Sequence, residues 1–297
     1  MTLLISSLTI FLLQAVNSFP CQWTPAREVG NLRGAIDEAS GLAVSRKYPD
    51  RLYHVNDSGD AGRFFITDYS GRNSQPVNIS EFVPRDVEDM AIGPCTPSFD
   101  CLFVGDIGDN NGRRRFIDVL VIGELQNFGV RVQPLYRVQI QYPDRPYDAE
   151  SFAVHPDGTM FFLTKGGTPR LYRLKKDQWM NGKLRTKTLE FVTAIDFEKL
   201  GGPAAAIDGR LPTGMSISPD GKRVLVLTYR NVFELLIDLA QPVPAPGNWR
   251  AGQNYRRIDV EVLEQQEAIS FMPDGKSFIY DTERNKGPAR IMKCECR

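Results

Sequence analysis

Five short stretches of the chain repeat one pattern of polar and apolar positions: Ala39-Ser40-Gly41-Leu42-Ala43-Val44, Val87-Glu88-Asp89-Met90-Ala91-Ile92, Ala149-Glu150-Ser151-Phe152-Ala153-Val154, Pro212-Thr213-Gly214-Met215-Ser216-Ile217 and Gln266-Glu267-Ala268-Ile269-Ser270-Phe271. Each begins at an oxygen-bearing side chain and continues as a large–small–large alternation, the signature of a short strand. The oxygen-bearing positions Ser40, Glu88, Glu150, Thr213 and Glu267 are 48, 62, 63 and 54 residues apart, the length of a four-stranded blade with its loops. Pro156-Asp157-Gly158, Pro219-Asp220-Gly221 and Pro273-Asp274-Gly275 follow three of the repeats. In such turns Pro presets φ and Gly accepts positive φ. Second strands are expected at 51–55, 102–105, 160–164, 223–228 and 277–280, and third strands at 63–68, 116–122, 170–174 and 232–237.

The last repeat leaves room for only three strands before Arg297, while residues 22–32 precede the first repeat without a blade of their own. An N-terminal strand laid onto the final blade accounts for both and removes an open edge. The pattern therefore predicts an all-β fold. It is a five-bladed β-propeller, closed by an N-terminal strand completing the last blade, in a single domain over 19–297. The alternative is six blades, the extra one drawn from 134–142 or 204–210.

The chain's ends and charge set its expected surroundings. Residues 3–16 are almost wholly apolar, and Val16 and Ser18 are small, as at a cleavage site. A signal peptide over 1–18 is expected, with an uncleaved anchor as the alternative. No later stretch approaches the roughly 18 apolar residues a spanning helix needs, so no integral membrane span is expected after cleavage. The chain is expected to be secreted or periplasmic, and monomeric. Lys plus Arg equals Asp plus Glu at 36 each, which removes any global pull toward nucleic acid or an anionic membrane. Of five cysteines, Cys95 and Cys101 bracket a short loop, a hairpin staple in an oxidising compartment. Cys21 has Cys294 or Cys296 as its partner, leaving one thiol over. Asn56-Asp57-Ser58 and Asn78-Ile79-Ser80 match the glycosylation sequon.

Candidate chemistry follows from the ring. Equivalent inner-strand positions in a propeller converge on its axis, and converging carboxylates repel one another unless neutralised. A hard cation taking six to eight oxygens resolves the conflict, and calcium best tolerates irregular geometry. Ser40, Glu88, Glu150, Thr213 and Glu267 are thus candidate calcium ligands, with Glu38, Asp86 and Asp148 adding negative potential nearby. The competing reading is that these side chains only hydrogen-bond neighbouring blades. The rim loops are polar: 56–60 with Arg63, 106–111 with 113–115, Lys165 with Arg170, 229–231 and 282–286. Arg and Asp mixed around a cation suit phosphate or another anion. Asp57 and Asp106 are the candidate catalytic carboxylates, and Arg63, Lys165 and Arg230 the candidate ligand contacts. Tight turns use the same Gly, Asn and Asp residues for backbone reasons alone. Loop 106–111 offers a second calcium position as an alternative. His54 lies mid-strand and reads as a packed residue. No nucleophile elbow, zinc motif or phosphate-binding loop is present.

The order Ser, Glu, Glu, Thr, Glu on successive inner strands resembles the calcium-activated apyrases. Val55-Asn56-Asp57-Ser58-Gly59 and Phe103-Val104-Gly105-Asp106-Ile107-Gly108 stand where that family carries Val-Asp-Asp and Tyr-Val-Gly-Gly motifs. The resemblance implies a secreted five-bladed nucleotidase with a central calcium. Lys165-Gly166-Gly167-Thr168-Pro169-Arg170 replaces that family's arginine-rich substrate motif. The chain is also similar to secreted bacterial propellers with Asn-Asp-Ser-Gly-Asp, Val-Gly-Asp-Ile-Gly-Asp-Asn and Ser-Pro-Asp-Gly signatures, carried here at 55–60, 104–110 and 218–221. The expected function is a secreted calcium-binding propeller whose polar rim binds a small anion or an extracellular glycan or protein. The alternative is an apyrase-like or phytase-like calcium-dependent hydrolase of nucleotides or other phosphate esters.

Overall fold

The structure, a computed structural model, describes residues 19–96, 98–180, 185–200, 207–284 and 287–297. The expected signal peptide, Pro97 in the hairpin loop, residues 204–206 of one sixth-blade stretch, and Asn285 and Lys286 of the last rim loop lie outside the described residues.

Each repeat segment is the innermost strand of its own antiparallel sheet. Blade 1 comprises Ala39–Val44, Leu52–Asn56, Arg63–Thr67 and Gln75–Ile79. Blade 2 comprises Val87–Pro94, Asp100–Asp106, Ile117–Gly123 and Tyr136–Gln141, so the stretch at 134–142 completes this blade instead of founding a sixth. Blade 3 runs through Ala149–Val154, Met160–Thr164, Arg170–Leu174 and Glu190–Ala194. Blade 4 follows with Pro212–Ile217, Val224–Thr228, Val232–Leu235 and Tyr255–Ile258, preceded by the short 3-10 turn Ile207–Arg210. Blade 5 has Gln266–Phe271, Ser277–Thr282 and Arg290–Glu295, and takes its outer strand, Arg27–Asn31, from the N-terminus. Inner strands of successive blades pack side by side around the ring, blade 5 against blade 1 included.

The alternation in the sequence is explained by where the faces go. Large side chains such as Phe103, Phe152, Phe162 and Tyr172 fill the wedge between blades 2 and 3, and Phe161, Leu163, Val226 and Phe233 fill the next. Two-residue parallel strands, Arg131–Val132 and Lys187–Thr188, lie along the outer strands of blades 1 and 2, satisfying edges that would otherwise be open. His54 is fully buried, with Nδ1 3.2 Å from Asp281 Oδ2 and Nε2 3.0 Å from Thr67 Oγ1, joining blade 5 to blade 1. Among the described residues no helix is long and apolar enough to cross a membrane.

The ring closes through several contacts at once. Cys21 is disulfide-bonded to Cys296, and Cys95 to Cys101, leaving Cys294 as a buried thiol. The choice of Cys296 follows from register: Trp23 bridges Cys296 in the antiparallel sense, while Cys294 points into the core beside Phe278 and Tyr280. Trp23 Nε1 donates to Glu234 Oε2 at 2.9 Å, and fully buried Glu234 also pairs with Arg256 and Arg223. The N-terminal segment is thereby tied to blade 4 as well as blade 5. Trp23→Phe keeps the ring but removes a hydrogen bond to a charged group, so chemical denaturation should show a loss of about 1.5–3 kcal/mol. An unchanged midpoint would mean that this bond adds nothing to the seam.

Candidate metal centre

The mouth is built by five backbone irregularities. In every inner strand the pairing register with the second strand skips one residue, between Ala39 and Gly41, Val87 and Asp89, Ala149 and Ser151, Pro212 and Gly214, and Gln266 and Ala268. The skipped residues are Ser40, Glu88, Glu150, Thr213 and Glu267. A bulge leaves one residue out of the ladder, bends the strand and re-aims its side chain. Gly41 shows how tightly the strands then approach, since a Cβ there would lie 2.5 Å from Met90 N. All five skipped residues are 5% exposed or less.

Hydroxyls and carboxylates play different parts in this ring. Ser40 Oγ donates to Glu88 O at 2.6 Å, and Thr213 Oγ1 donates to Gln266 O at 3.0 Å, so both hydroxyl protons bond the next blade. The carboxylates instead gather with acids from the loops. Carboxylate oxygens of Asp57, Asp86 and Glu88 lie within 4.8 Å of one another, as do those of Glu88, Asp148 and Glu150. Burial, and then the charges of Glu150, Asp57, Asp86 and Asp148, raise the Glu88 pKa far above the usual carboxylate range. Burial and then Glu150 do the same to Glu267, and burial and then Asp57 raise Asp86. Glu150 is also raised by burial, against the opposing pull of Lys165.

Lys165 makes the mouth lopsided. Its Nζ lies 2.5 Å from Glu150 Oε1 and 2.9 Å from Tyr229 Oη. Burial pulls the ammonium pKa down, but the Glu150 charge and these bonds outweigh it, and the net shift is upward. Tyr229 also stands near enough to Glu267 to favour its charged form, against burial and the Glu150 charge. Blades 3, 4 and 5 thus share an ammonium and a phenol. Among the described residues no Lys or Arg forms an ion pair with Glu88, Asp86 or Asp57 on the other side.

The structure separates the remaining candidates. Among the described residues the Asp57 carboxylate accepts only the adjacent Ser58 N–H and joins the acidic cluster, whereas Asp60 in the same loop is taken up by Asn56, Ala61 N and Arg63. Arg63 is therefore folded back onto its own loop. Asp106 is 1% exposed; its oxygens accept the N–H groups of Arg85 and Asp86 and pair with Arg114 at 2.8 Å. Asp109 accepts the N–H groups of Arg113 and Arg114. These two carboxylates hold the loop in shape, which leaves them poorly placed for the second calcium position considered at 106–111. Gly108 sits where a Cβ would strike Glu88 Oε1 and Asp86 Oδ2, which is the physical reason for glycine in that signature. Arg230 lines a neighbouring cleft of ≈ 540 Å³ with Tyr229, Val262 and Leu263. Further along the inner strands from the acid-lined cup of the mouth, Leu42, Met90, Met215 and Ile269 line a small cavity of ≈ 20 Å³, room for about one water. The cup's donors are carboxylate oxygens, a set suited to hard cations.

No protein-family profile and no curated protein matches the chain. Solved structures match in fold. The PQQ-bound aldose sugar dehydrogenase of Streptomyces coelicolor aligns with a TM-score of 0.50 at 10% identity, over 94% of this chain and 99% of its own. A putative oxidoreductase (glucose dehydrogenase) of Thermus thermophilus aligns with a TM-score of 0.50 at 12% identity, over 91% and 99%. At such identities the likeness shows the β-propeller architecture alone.

Proposed function

We propose that this is an exported β-propeller that binds calcium in the cup and uses the ion, with Lys165 beside it, to hold a small anionic ligand. The observation that carries the reading is Glu88, a carboxylate 4% exposed, set by a backbone bulge among four other acids and without a cationic partner among the described residues. Burying such a charge unpaired is costly, and a divalent ion removes that cost. The two disulfides accord with an oxidising compartment. Lys165 and Tyr229 supply a fixed positive charge and a hydroxyl next to the ion, the parts needed to grip a phosphate or carboxylate.

A catalytic reading rests on the same neighbours: an ion that polarises a phosphoryl oxygen, with Asp57 orienting water. Equilibrium dialysis against calcium tests the binding claim. Glu88→Gln and Glu150→Gln should each weaken calcium at least tenfold, and unchanged affinity in both ends the reading. Phosphate release from nucleotides and simple phosphate esters, with calcium and with chelator, tests catalysis. Calcium-dependent turnover lost in Asp57→Ala at unchanged melting temperature makes the protein a hydrolase. Anion binding without turnover makes it a receptor.

A further inference from the structure

We infer that the cup holds two divalent cations bridged by Glu88, and that the pair together receives an anionic oxygen of the ligand. This rests on the cation-binding reading above and deepens it. Two sets of acids surround the mouth, Asp57–Asp86–Glu88 and Glu88–Asp148–Glu150, and Glu88 is their sole common member. Oxygens bound to one calcium at about 2.3–2.6 Å can be no more than about 5 Å apart, so each set on its own has the span of one ion. A shared carboxylate fixes neighbouring ions at the roughly 3.5–4 Å separation of two-metal sites.

The hydrogen bonding of Glu88 points to a cation as well. Its Oε1 accepts no hydrogen bond among the described residues. Its Oε2 has only Ser40 Oγ, at 3.4 Å, and that hydroxyl's proton goes to Glu88 O at 2.6 Å. A side chain this deeply buried, short of donors and standing among four other acids, is suited to coordinate a cation. Asp86 is similarly short of donors, and Gly108 removes the one Cβ that would intrude between it and Glu88.

Charge favours two ions over one. Among the described residues, six carboxylates, Asp57, Asp86, Glu88, Asp148, Glu150 and Glu267, stand around one ammonium, Lys165. With all six ionised, one divalent ion leaves a net charge of about three minus and two leave about one, so the two-ion cup repels a phosphate or carboxylate least. That oxygen would lie across both ions, on the side where Lys165 and Tyr229 stand.

Equilibrium dialysis of the full chain with calcium alone, and the electron paramagnetic resonance spectrum of the manganese-loaded protein, test the inference. The expected result is two ions per chain and a spin-coupled manganese pair. Asp57→Asn should then release one ion and Asp148→Asn the other, while Glu88→Gln weakens both at least tenfold. The manganese spectrum needs no variant, so it stands even if a substitution disturbs folding. One ion per chain, with an uncoupled manganese spectrum, overturns the pair and leaves the single-ion reading intact. No bound ion overturns both.

Discussion

Stripped of divalent cations, the protein is expected to become steadily less stable as pH rises from 5 to 8, and calcium should remove the part of that slope owed to the cup. The sign follows from the direction of the shifts. Glu88, Glu150, Glu267, Asp86 and Glu283 all have carboxyl pKa values raised in the fold, with burial as the first cause of each. In the unfolded chain they ionise near the ordinary value of about 4. Above that pH the unfolded state has lost protons that the folded state still holds. Stability is therefore fully present below the ordinary pKa and is lost as pH climbs toward the folded one. Each group that stays protonated contributes a slope of about 1.4 kcal/mol per pH unit, so two of them remove several kcal/mol between pH 5 and 7. His155, where Asp157 and Asp238 outweigh burial, and the buried Asp89 and Asp281 are also raised and slope the same way, but they lie outside the two acid sets and make up the part that calcium leaves. Carboxyls with lowered pKa values, Asp157 among them, act only in more acid solution. Thermal melts across pH 5–8, in chelator and in saturating calcium, read the difference directly. A flat profile in chelator would show that the acids of the cup are not in conflict.

What the sequence disclosed and what it withheld divide along the range of the interactions. The blades were legible because each repeat carries its own strand and turns, and burial of alternate faces is a local pattern. The seam was legible because Gln22 to Leu32 had no other sheet to join. The bulges were not, since nothing in Val87-Glu88-Asp89 marks a skipped residue; the skip exists only against Gly105 and Asp106 on the next strand. Asp106 illustrates the cost of that blindness. It reads as a loop acid, yet Arg85 N, Asp86 N and Arg114 converge on it, and it is among the least exposed residues of the mouth. Asp86 and Asp148 read as background charge, because their closeness to Glu88 depends on how blades 2 and 3 pack. Tyr229 read only as one residue of the polar rim loop 229–231: its value comes from lying between Lys165 of blade 3 and Glu267 of blade 5.

Replacing both Cys21 and Cys296 with serine should lower unfolding free energy by roughly 5 kcal/mol, whereas replacing Cys95 and Cys101 should cost only roughly 2 kcal/mol. The difference is one of loop length. Cys21 and Cys296 are 275 residues apart, and Cys95 and Cys101 only 6, so the first bridge removes far more freedom from the unfolded chain. Since the whole fold is worth about 5–15 kcal/mol, loss of the long bridge leaves a ring held by the pairing of Arg27–Asn31 with Arg290–Glu295 and by the Trp23–Glu234 bond. Both cysteines must be changed together, because a lone Cys21 has Cys294 two residues from its lost partner. Burial pushes the Cys294 thiol up to about 12, so it stays unreactive in the folded state and would mispair only during unfolding. Denaturant midpoints of the two double variants, compared under non-reducing conditions, give the order. If the short-loop variant proved as damaging as the long one, closure of the ring would not be limited by chain entropy, and the seam's strand pairing alone would have to account for its stability.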